Sequence, residues 1–346
     1  MRITIKDIAR ETGYSKTTVS FAFNEPRQIS AEARTRILET AARLGYVPDP
    51  VARSLSRRRV GTIGLLLPQP IPFSLQNPYM VRLISGLGEV CNDEGLSLTM
   101  LPPQRGSLIS SARAAAVDGL VTIGLEPEDE IVGLIKNRHI PFVTIDAHSE
   151  PGIPSITVDD RAAADAAMSH LLECGHERIG IVILEDSHAP DQEEYSGIGR
   201  LRMLGYEDAL HRHGRSCDDD GIVQLYEPCS VQGGRMAARE IIRAHRDVTG
   251  VVSMSDVMVI GLYEELKNVG LRIPDDLSVV GFDDIFESRL LTPALTTVRQ
   301  PAEEKGRTAG ELLVRMIRDE PVEDSVTFPC ELVRRDSVAR LASVEP

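Results

Sequence analysis

The amino-acid sequence predicts an all-α helix-turn-helix head followed by an α/β body of two doubly wound parallel-sheet lobes. Two patterns carry this prediction. The first 46 residues hold three helical patterns separated by turn residues. From Val60 onward, short apolar runs alternate with helical patterns, which is typical of parallel sheets covered by helices. The length of 346 residues leaves room for two or three domains.

The three head helices are predicted from their end signals. Thr4 followed by Asp7 is a capping-box pattern that begins the first helix. Ser15 follows a glycine turn and caps the second helix, because its hydroxyl can accept a free backbone N–H. Ser30 caps the third helix in the same way, and Gly45 ends it.

A second helix in this position would enter the major groove of DNA with its first side chains towards the base edges. The side chains predicted to face the bases are Lys16, Thr17 and either Ser20 or Phe21. The alternative is a small helical cap domain that binds nothing. The uneven charge of the chain favours DNA binding over this alternative.

Positive and negative charges are concentrated in different parts of the chain. Residues 1–59 hold 12 Lys and Arg against 6 Asp and Glu, a net +6, whereas the remainder carries −20. A basic head on an acidic body suits a protein whose head meets phosphates while its body stays soluble. The overall charge of −14 therefore does not argue against a nucleic-acid partner.

A short linker helix is predicted between head and body. Asp49 as N-cap and Pro50 at the first helical position begin it, and it extends to about Leu55. Two helical turns are too few to be stable alone, so we expect this segment to order only against a partner.

Two strings resemble the lac repressor (LacI/GalR) family of bacterial regulators: ITIKDIARETGYSKTTVSFAFN and ISAEARTRILETAARLGYVPDPVARSLSRRRVGTIGLLLP. The resemblance implies that Lys16 and Thr17 read bases and that Leu55 wedges into the minor groove. Phe21 stands where the family often has Arg, which indicates an apolar base contact such as a thymine methyl. The candidate DNA-binding residues are Ser15, Lys16, Thr17, Thr18, Ser20, Phe21, Asn24, Ala52 and Leu55.

The body is predicted to hold two sets of four strands. The first set is 62–67, 96–101, 119–123 and 142–145, and the second is 179–184, 222–225, 250–253 and 277–281. A final strand region is predicted over 326–333. The predicted helices between and after the strands include 79–94, 160–173, 201–213, 256–268 and 303–318.

The resemblance also implies the domain limits and a periplasmic-binding-protein-like body. The helix-turn-helix domain would span 1–46, and the hinge helix with its linker 47–59. The N-terminal effector-binding lobe would comprise 60–158 with 293–318, and the C-terminal lobe 159–292 with 319–346. Three crossings between the lobes would form a hinge.

Ligands of open α/β sheets bind beyond the carboxyl ends of the strands, where Asp146, Ser255 and Asp283 fall. The resemblance adds Arg202 and Gln300 as effector contacts. Carboxylates accept hydrogen bonds from hydroxyls and Arg donates them in a fork, which favours a carbohydrate or polyol effector. A purine or nucleoside effector acting as corepressor is the alternative.

The sequence shows no motif that is typical of an enzyme. The sequence contains no phosphate-binding, nucleophile-elbow or zinc-protease motif, so we expect a protein that is not an enzyme. Its five Cys are scattered, and neither a metal site nor a cofactor is expected.

The start MRITIKDIAR is not a signal peptide, and no apolar run could span a bilayer, which predicts a cytoplasmic protein without a membrane partner. A sugar-binding transport protein would share the two-lobe body, but it would need a signal peptide and would lack the basic head. The sequence therefore predicts a ligand-responsive repressor that binds a palindromic operator of double-stranded DNA. No leucine heptad follows Arg340, so a C-terminal coiled coil that would form a tetramer is not expected. The expected state is a homodimer.

Overall fold

The computed structural model describes residues 3–48, 59–125, 129–148, 152–185 and 197–341. The chain divides into two compact units. The head unit comprises Met1–Thr62 with Ala116–Asp118, and the body unit comprises Ile63–Ala115 with Gly119–Pro346.

The described residues of the head unit form three α-helices: α1 (Ile5–Thr12), α2 (Lys16–Asn24) and α3 (Ala31–Arg43). A short 3-10 turn, Pro26–Gln28, joins the last two. Capping side chains fix where the helices begin. The backbone amide of Thr4 donates to the Asp7 carboxylate at 3.0 Å. The hydroxyls of Ser15 and Ser30 accept backbone amides in the first turns of α2 and α3. These starts confirm the predicted caps.

The head has its own small hydrophobic core. Ile8 of α1, Val19 and Ala22 of α2, and Ile37 and Ala41 of α3 are buried against one another. This packing turns the opposite side of α2 outward.

The body unit contains two six-stranded sheets. The strands of the first sheet are β1 (Thr62–Leu66), β2 (Ser97–Leu101), β3 (Gly119–Ile123), β4 (Phe142–Ile145), β5 (Ser155–Val158) and β11 (Ser325–Phe328). The strands of the second are β6 (Ile179–Leu184), β7 (Ile222–Glu227), β8 (Gly250–Ser253), β9 (Ser278–Asp283), β10 (Thr296–Arg299) and β12 (Glu331–Val333). Their orders are β2-β1-β3-β4-β5-β11 and β7-β6-β8-β9-β10-β12.

Helices follow most of the strands, as the alternation predicted. Those of the first lobe are α4 (Ile71–Ser74), α5 (Pro78–Glu94), α6 (Leu108–Ala114), α7 (Glu130–Asn137) and the late α12 (Ala302–Ile317). Those of the second are α8 (Asp160–Glu173), α9 (Gly197–Arg212), α10 (Val231–Ala244) and α11 (Asp256–Asn268), with a 3-10 turn at Phe286–Arg289.

The second sheet is covered on both faces, which is the meaning of doubly wound. On β6, Ile181 and Ile183 pack in one cluster with α8 and α9, whereas Val182 packs in the other with α10 and α11. Alternate residues of one strand thus face different helix pairs. In the first sheet, Ile63, Val121 and Val143 pack in a single cluster with α5 and α12.

The strand pairing corrects the lobe limits expected at 293 and 319. β10 lies parallel to β9, so residues 296–299 belong to the second lobe and the crossing follows Arg299. β11 lies parallel to β5, so residues 325–328 belong to the first lobe. The predicted final strand region, 326–333, is therefore two strands in different sheets, since β12 pairs antiparallel with β10.

The predicted four strands per sheet were also too few. Strands β5, β10, β11 and β12 have three or four residues each and mix polar with apolar side chains, so no continuous apolar run marks them in the sequence.

Glycines allow the two first-lobe helices α5 and α12 to approach backbone to backbone. A Cβ atom added at Gly86 would lie 1.9 Å from the carbonyl oxygen of Glu303, and one added at Gly306 would lie 2.0 Å from that of Leu83. The second-lobe pair α10 and α11 has the same arrangement at Gly234 and Gly261. Helix position in both lobes therefore depends on the absence of side chains at these contacts.

Replacement of Gly86 by Ala should lower the free energy of unfolding. We expect a loss of about 1–3 kcal/mol, because the new methyl must push α12 away from α5. Gly88→Ala is the matched control on the same helix, since a Cβ there meets nothing within 4 Å. It should stabilise by about 0.5–1 kcal/mol through helix propensity. Urea unfolding measures both, and equal effects of the two changes would contradict the close-approach interpretation.

Candidate functional site

The outward side of α2 is the first candidate site. Lys16 and Thr17 are exposed at its start, and Ser20 and Phe21 lie half-buried one turn later. Residues spaced by three or four positions share one face of a helix. The structure therefore brings Lys16, Thr17 and both alternatives for the third base-facing residue, Ser20 and Phe21, to one face of the head, opposite its core.

The other candidate residues of α2 make local contacts. The hydroxyls of Ser15 and Thr18 share a hydrogen bond of 2.8 Å, which holds the helix start. The Asn24 amide donates to the Ser20 hydroxyl at 3.2 Å, on the same face as Phe21. Ala52 and Leu55 lie outside the described residues.

The second candidate site lies at the carboxyl ends of the body strands, beginning with Asp146. This residue directly follows β4 and has a φ of 59°, in the left-handed region that few non-glycine residues adopt. Its side chain is buried, and one carboxylate oxygen accepts the Tyr79 hydroxyl at 2.8 Å. Burial and the nearby Asp146 raise the pKa of Tyr79, so the phenol stays protonated and donates.

Lys305 is the second partner of Asp146 and has no exposed surface. Its ammonium pairs with the other carboxylate oxygen of Asp146 and donates to the Gln300 side-chain oxygen at 3.1 Å. It also lies 5.5 Å from the centre of the Tyr79 ring, within the range of a cation–π contact. Every one of these contacts is buried, so water does not compete with them.

Gln300 carries the chain of contacts into the second lobe. Its amide nitrogen donates to Asp283 at 2.6 Å, and the Ser255 hydroxyl donates to the other carboxylate oxygen at 2.8 Å. Burial raises the pKa of Asp283, although Arg202 and these two hydrogen bonds lower it. We call the series Tyr79–Asp146–Lys305–Gln300–Asp283–Ser255 the polar relay.

Arg202 makes a second buried ion pair beside the polar relay. Its Nε donates to Asp160 at 2.8 Å, another nitrogen donates to the Met254 carbonyl, and the guanidinium lies 3.6 Å from the Phe282 ring centre. Burial lowers the pKa of Arg202, but Asp160 and Asp283 raise it by more. The guanidinium therefore stays charged, and part of its donor fork is already occupied.

Asp256, next to Ser255, has a different role. Its carboxylate accepts from the Ile285 amide at 3.2 Å, the Ser288 hydroxyl at 2.6 Å and the Thr297 hydroxyl at 2.7 Å. Burial, together with Asp283, raises its pKa. These contacts join the start of α11 to the segment after β9 and to β10, so Asp256 positions the site.

A cavity of about 230 Å³ lies beside Asp146 and Asp160. The polar side chains in its lining are carboxyl, hydroxyl and imidazole groups: Asp146, His148, Ser155, Thr157, Asp160, Ser325 and Thr327. Leu201 and Ile198 add apolar surface. A ligand in this space would meet hydrogen-bond acceptors and small hydroxyls.

All five predicted effector residues, Asp146, Arg202, Ser255, Asp283 and Gln300, therefore lie in or beside one buried polar cluster at the strand ends. Sequence reasoning missed Tyr79, Asp160 and Lys305. One signal was available for Lys305, because it interrupts the apolar stripe of Ala302, Ala309 and Leu313 on α12. A lysine in such a stripe is expected to have a buried partner.

The described ranges contain neither a metal-binding cluster nor a membrane-spanning helix. No group of three or more His, Cys, Asp or Glu there could hold a metal ion. Among the helices in those ranges, none combines the length and the apolar character that a bilayer crossing requires.

Two family models match separate parts of the chain. Residues 4–49 match the bacterial regulatory proteins of the lacI family, and residues 168–338 match a periplasmic binding protein-like domain.

Relatives match over nearly the full length. The HTH-type transcriptional regulator IpsA of Corynebacterium glutamicum is 36% identical over 343 residues, covering 93% of this chain and 94% of the relative. The HTH-type transcriptional repressor PurR of Salmonella newport is 32% identical over 347 residues, covering 97% of both. A crystal structure of a LacI family regulator from Enterococcus faecium with bound ribose is 26% identical, with a TM-score of 0.69, and covers 81% of this chain and 100% of that one.

Replacement of Lys305 by Met should destabilise the protein by about 3–5 kcal/mol, because it leaves the buried Asp146 carboxylate without its cation. The double variant Lys305→Met with Asp146→Asn should recover most of this loss, since the unpaired charge is then gone. Urea unfolding of the single and double variants gives the coupling energy. Losses that simply add would contradict a direct ion pair.

Proposed function

The chain belongs to the lacI family of bacterial regulatory proteins, and we propose that it is a repressor switched by a small polar effector. It is a transcriptional regulator and not an enzyme. In this proposal a homodimer binds a near-palindromic operator, because a two-fold symmetric protein matches a two-fold symmetric site. Repression, rather than activation, is supported by the name of the Salmonella relative, a transcriptional repressor.

The chief support for the effector part is the polar relay at the strand ends. Buried carboxylates, an amide and a hydroxyl are groups that hydrogen-bond to ligand hydroxyls, and Asp146 of the relay lines the cavity. A carbohydrate or polyol suits them, and the ribose-bound neighbour points to the same class. Arg202, Asp283, Asp146, Ser255 and Gln300 are the proposed effector-binding residues.

A purine or nucleoside corepressor is the second candidate. A flat base would be expected to stack on an aromatic face. Two aromatic rings beside the polar relay, Tyr79 and Phe282, already have cations over them: Lys305 at 5.5 Å and Arg202 at 3.6 Å from the ring centres. This occupancy favours the polyol over the base.

The proposed switch uses the two lobes. Three chain crossings connect them, after β5, β10 and β11, and the polar relay spans the space between Asp146 of one lobe and Asp283 of the other. A ligand that bridges these ends would bind one lobe arrangement more tightly and shift the population towards it, by a coupling of typically 1–3 kcal/mol. The linker of residues 47–59, with Leu55 as its minor-groove wedge, would transmit that shift to DNA affinity.

The base-reading role of the head can be tested at α2. Lys16→Ala and Thr17→Ala should each weaken operator binding by about 1–3 kcal/mol, the usual value of a good base contact, while binding to random DNA falls much less. Fluorescence anisotropy on both DNA molecules at fixed salt measures this difference. Equal losses on operator and random DNA would show that these side chains touch only phosphate. Lys6→Ala on α1 is the control for loss of one positive charge.

The effector role of Asp283 can be tested by an isosteric change. Asp283→Asn should abolish the effect of the ligand on operator binding, because an amide cannot accept on both of its side-chain heavy atoms. DNA affinity without ligand should stay unchanged. The control is Asp220→Asn, an exposed loop carboxylate in the same lobe. An Asp283→Asn variant that retains its ligand response would contradict the assignment.

A further inference from the structure

The Asp118 side chain binds the backbone that directly follows the linker of residues 47–59. Its two carboxylate oxygens accept the backbone amides of Val60 and Gly61, each at 2.6 Å, and the oxygen that binds Gly61 also accepts from Thr62 at 3.4 Å. The Asp118 amide donates in return to the Thr62 carbonyl at 2.8 Å. Hydrogen bonds to an ionised carboxylate are about twice as strong as those between neutral groups. We call these contacts the linker anchor.

Gly61 gives the backbone the shape that the linker anchor requires. Its φ is 76°, in the left-handed region, and a turn of this kind points successive N–H groups towards one centre, an anion-binding nest. A Cβ atom added at Gly61 would meet nothing within 4 Å, so the glycine serves the backbone conformation and does not relieve crowding. The anion that occupies this nest is a side chain of the protein itself.

Strand pairing places Asp118 beside the nest. Asp118 directly precedes β3, and Thr62 is the first residue of β1. The two strands are parallel, with Ile63 opposite Gly119, so their starting ends lie side by side. The segment Ala116–Asp118 accordingly belongs to the head unit, although the residues on either side of it belong to the body unit.

The linker anchor holds residues that the sheet does not hold. The pairing of β1 with β3 begins at Ile63, which is fully buried in the first-lobe core. Val60 lies before that pairing and is 43% exposed. A segment with few buried contacts opens at little cost in free energy. Asp118 therefore extends the ordered backbone by three residues towards the linker.

Resting on the proposed operator binding, we propose that Asp118 is a positioning residue for operator recognition, which acts by fixing the end of the linker at Val60. The proposed minor-groove wedge, Leu55, precedes Val60 by five residues and Ile63 by eight. Loss of the linker anchor moves the first fixed residue from Val60 to Ile63 and lengthens the tether of the wedge. Binding to random DNA uses phosphate contacts and needs no fixed wedge position.

Tether length gives the size of the expected effect. The probability that one end of a chain lies at a fixed target falls roughly as the −3/2 power of the number of residues in the tether. An increase from five residues to eight lowers that probability about twofold in each protomer. A dimer with two wedges should therefore lose about fourfold in operator affinity.

The first experiment measures the DNA affinity of full-length Asp118→Ala by fluorescence anisotropy at fixed salt. The probes are a duplex that the unmodified protein selects from random-sequence DNA and a shuffled duplex of the same length. Affinity for the selected duplex should fall about fourfold, whereas affinity for the shuffled duplex should change less than about twofold. Asp220→Ala removes an exposed loop carboxylate and should leave the ratio of the two affinities unchanged.

Gly61→Ala tests the nest from its other side. A side chain at this φ is strained, so the amides should turn away from Asp118 and the affinity ratio should fall as it does in Asp118→Ala. The double variant should lose no more than either single variant, because both changes break the same anchor. Gly214→Ala is the matched control, since Gly214 has a φ of 69° and equally open surroundings.

Amide hydrogen exchange without DNA observes the linker anchor directly. The amides of Val60 and Gly61 should exchange about tenfold or more slowly in the unmodified protein than in Asp118→Ala. Asp118→Asn has a single acceptor oxygen, so it should protect either the Val60 amide or those of Gly61 and Thr62, but not both sets. Fast exchange of these amides in the unmodified protein would overturn the inference.

The DNA measurements can overturn the inference separately from the proposed function. A folded Asp118→Ala protein whose affinity ratio is unchanged, even if urea unfolds it more easily, shows that Asp118 serves stability alone. If that variant does not fold, an unchanged ratio in both Asp118→Asn and Gly61→Ala overturns the positioning role. Either result leaves the sequence-specific regulator intact. Failure of the unmodified protein to prefer any selected duplex would instead refute the proposed operator binding, and this inference with it.

Discussion

The buried ion pair between Lys305 and Asp146 is the interaction on which the arrangement of the polar cluster depends. An ammonium without exposed surface is stable only beside its partner, so the pair ties α12 to the end of β4. The same ammonium orients Gln300, which reaches Asp283 in the second lobe. One side chain thereby links the strand ends of both sheets. A substitution at any residue of this series removes a hydrogen bond or ion pair from its neighbour in the series.

Helix packing puts Lys305 within reach of its partner. Gly306, the next residue on α12, lets that helix approach the backbone of α5 at Leu83. α5 also carries Tyr79, whose hydroxyl holds the second oxygen of Asp146. A larger residue at Gly306 would separate the two helices and move both partners of Asp146. The geometry of the polar cluster therefore depends on the close packing of α5 against α12.

The sequence predicted the head most completely. Its helix starts follow from Ser15 and Ser30, because capping is a contact within three residues of the chain. It also predicted that Asp146 and Asp283 lie at strand ends, since parallel strands bring their carboxyl ends to one edge. It did not predict the lobe membership of β10 and β11, because membership depends on which strand each one pairs with, and pairing has no signal in the local sequence.

The sequence by itself determined the helix-turn-helix head, the alternation of strands and helices, and the strand-end carboxylates, all of which follow from local periodicity and capping. Only the tertiary structure decided that Lys305 meets Asp146 across 159 residues of chain and that Arg202 is held by Asp160 across 42. The physical reason is that an ion pair has no local signature. The position of Lys305 in an apolar stripe indicates burial, but only the fold decides which opposite charge lies beside it.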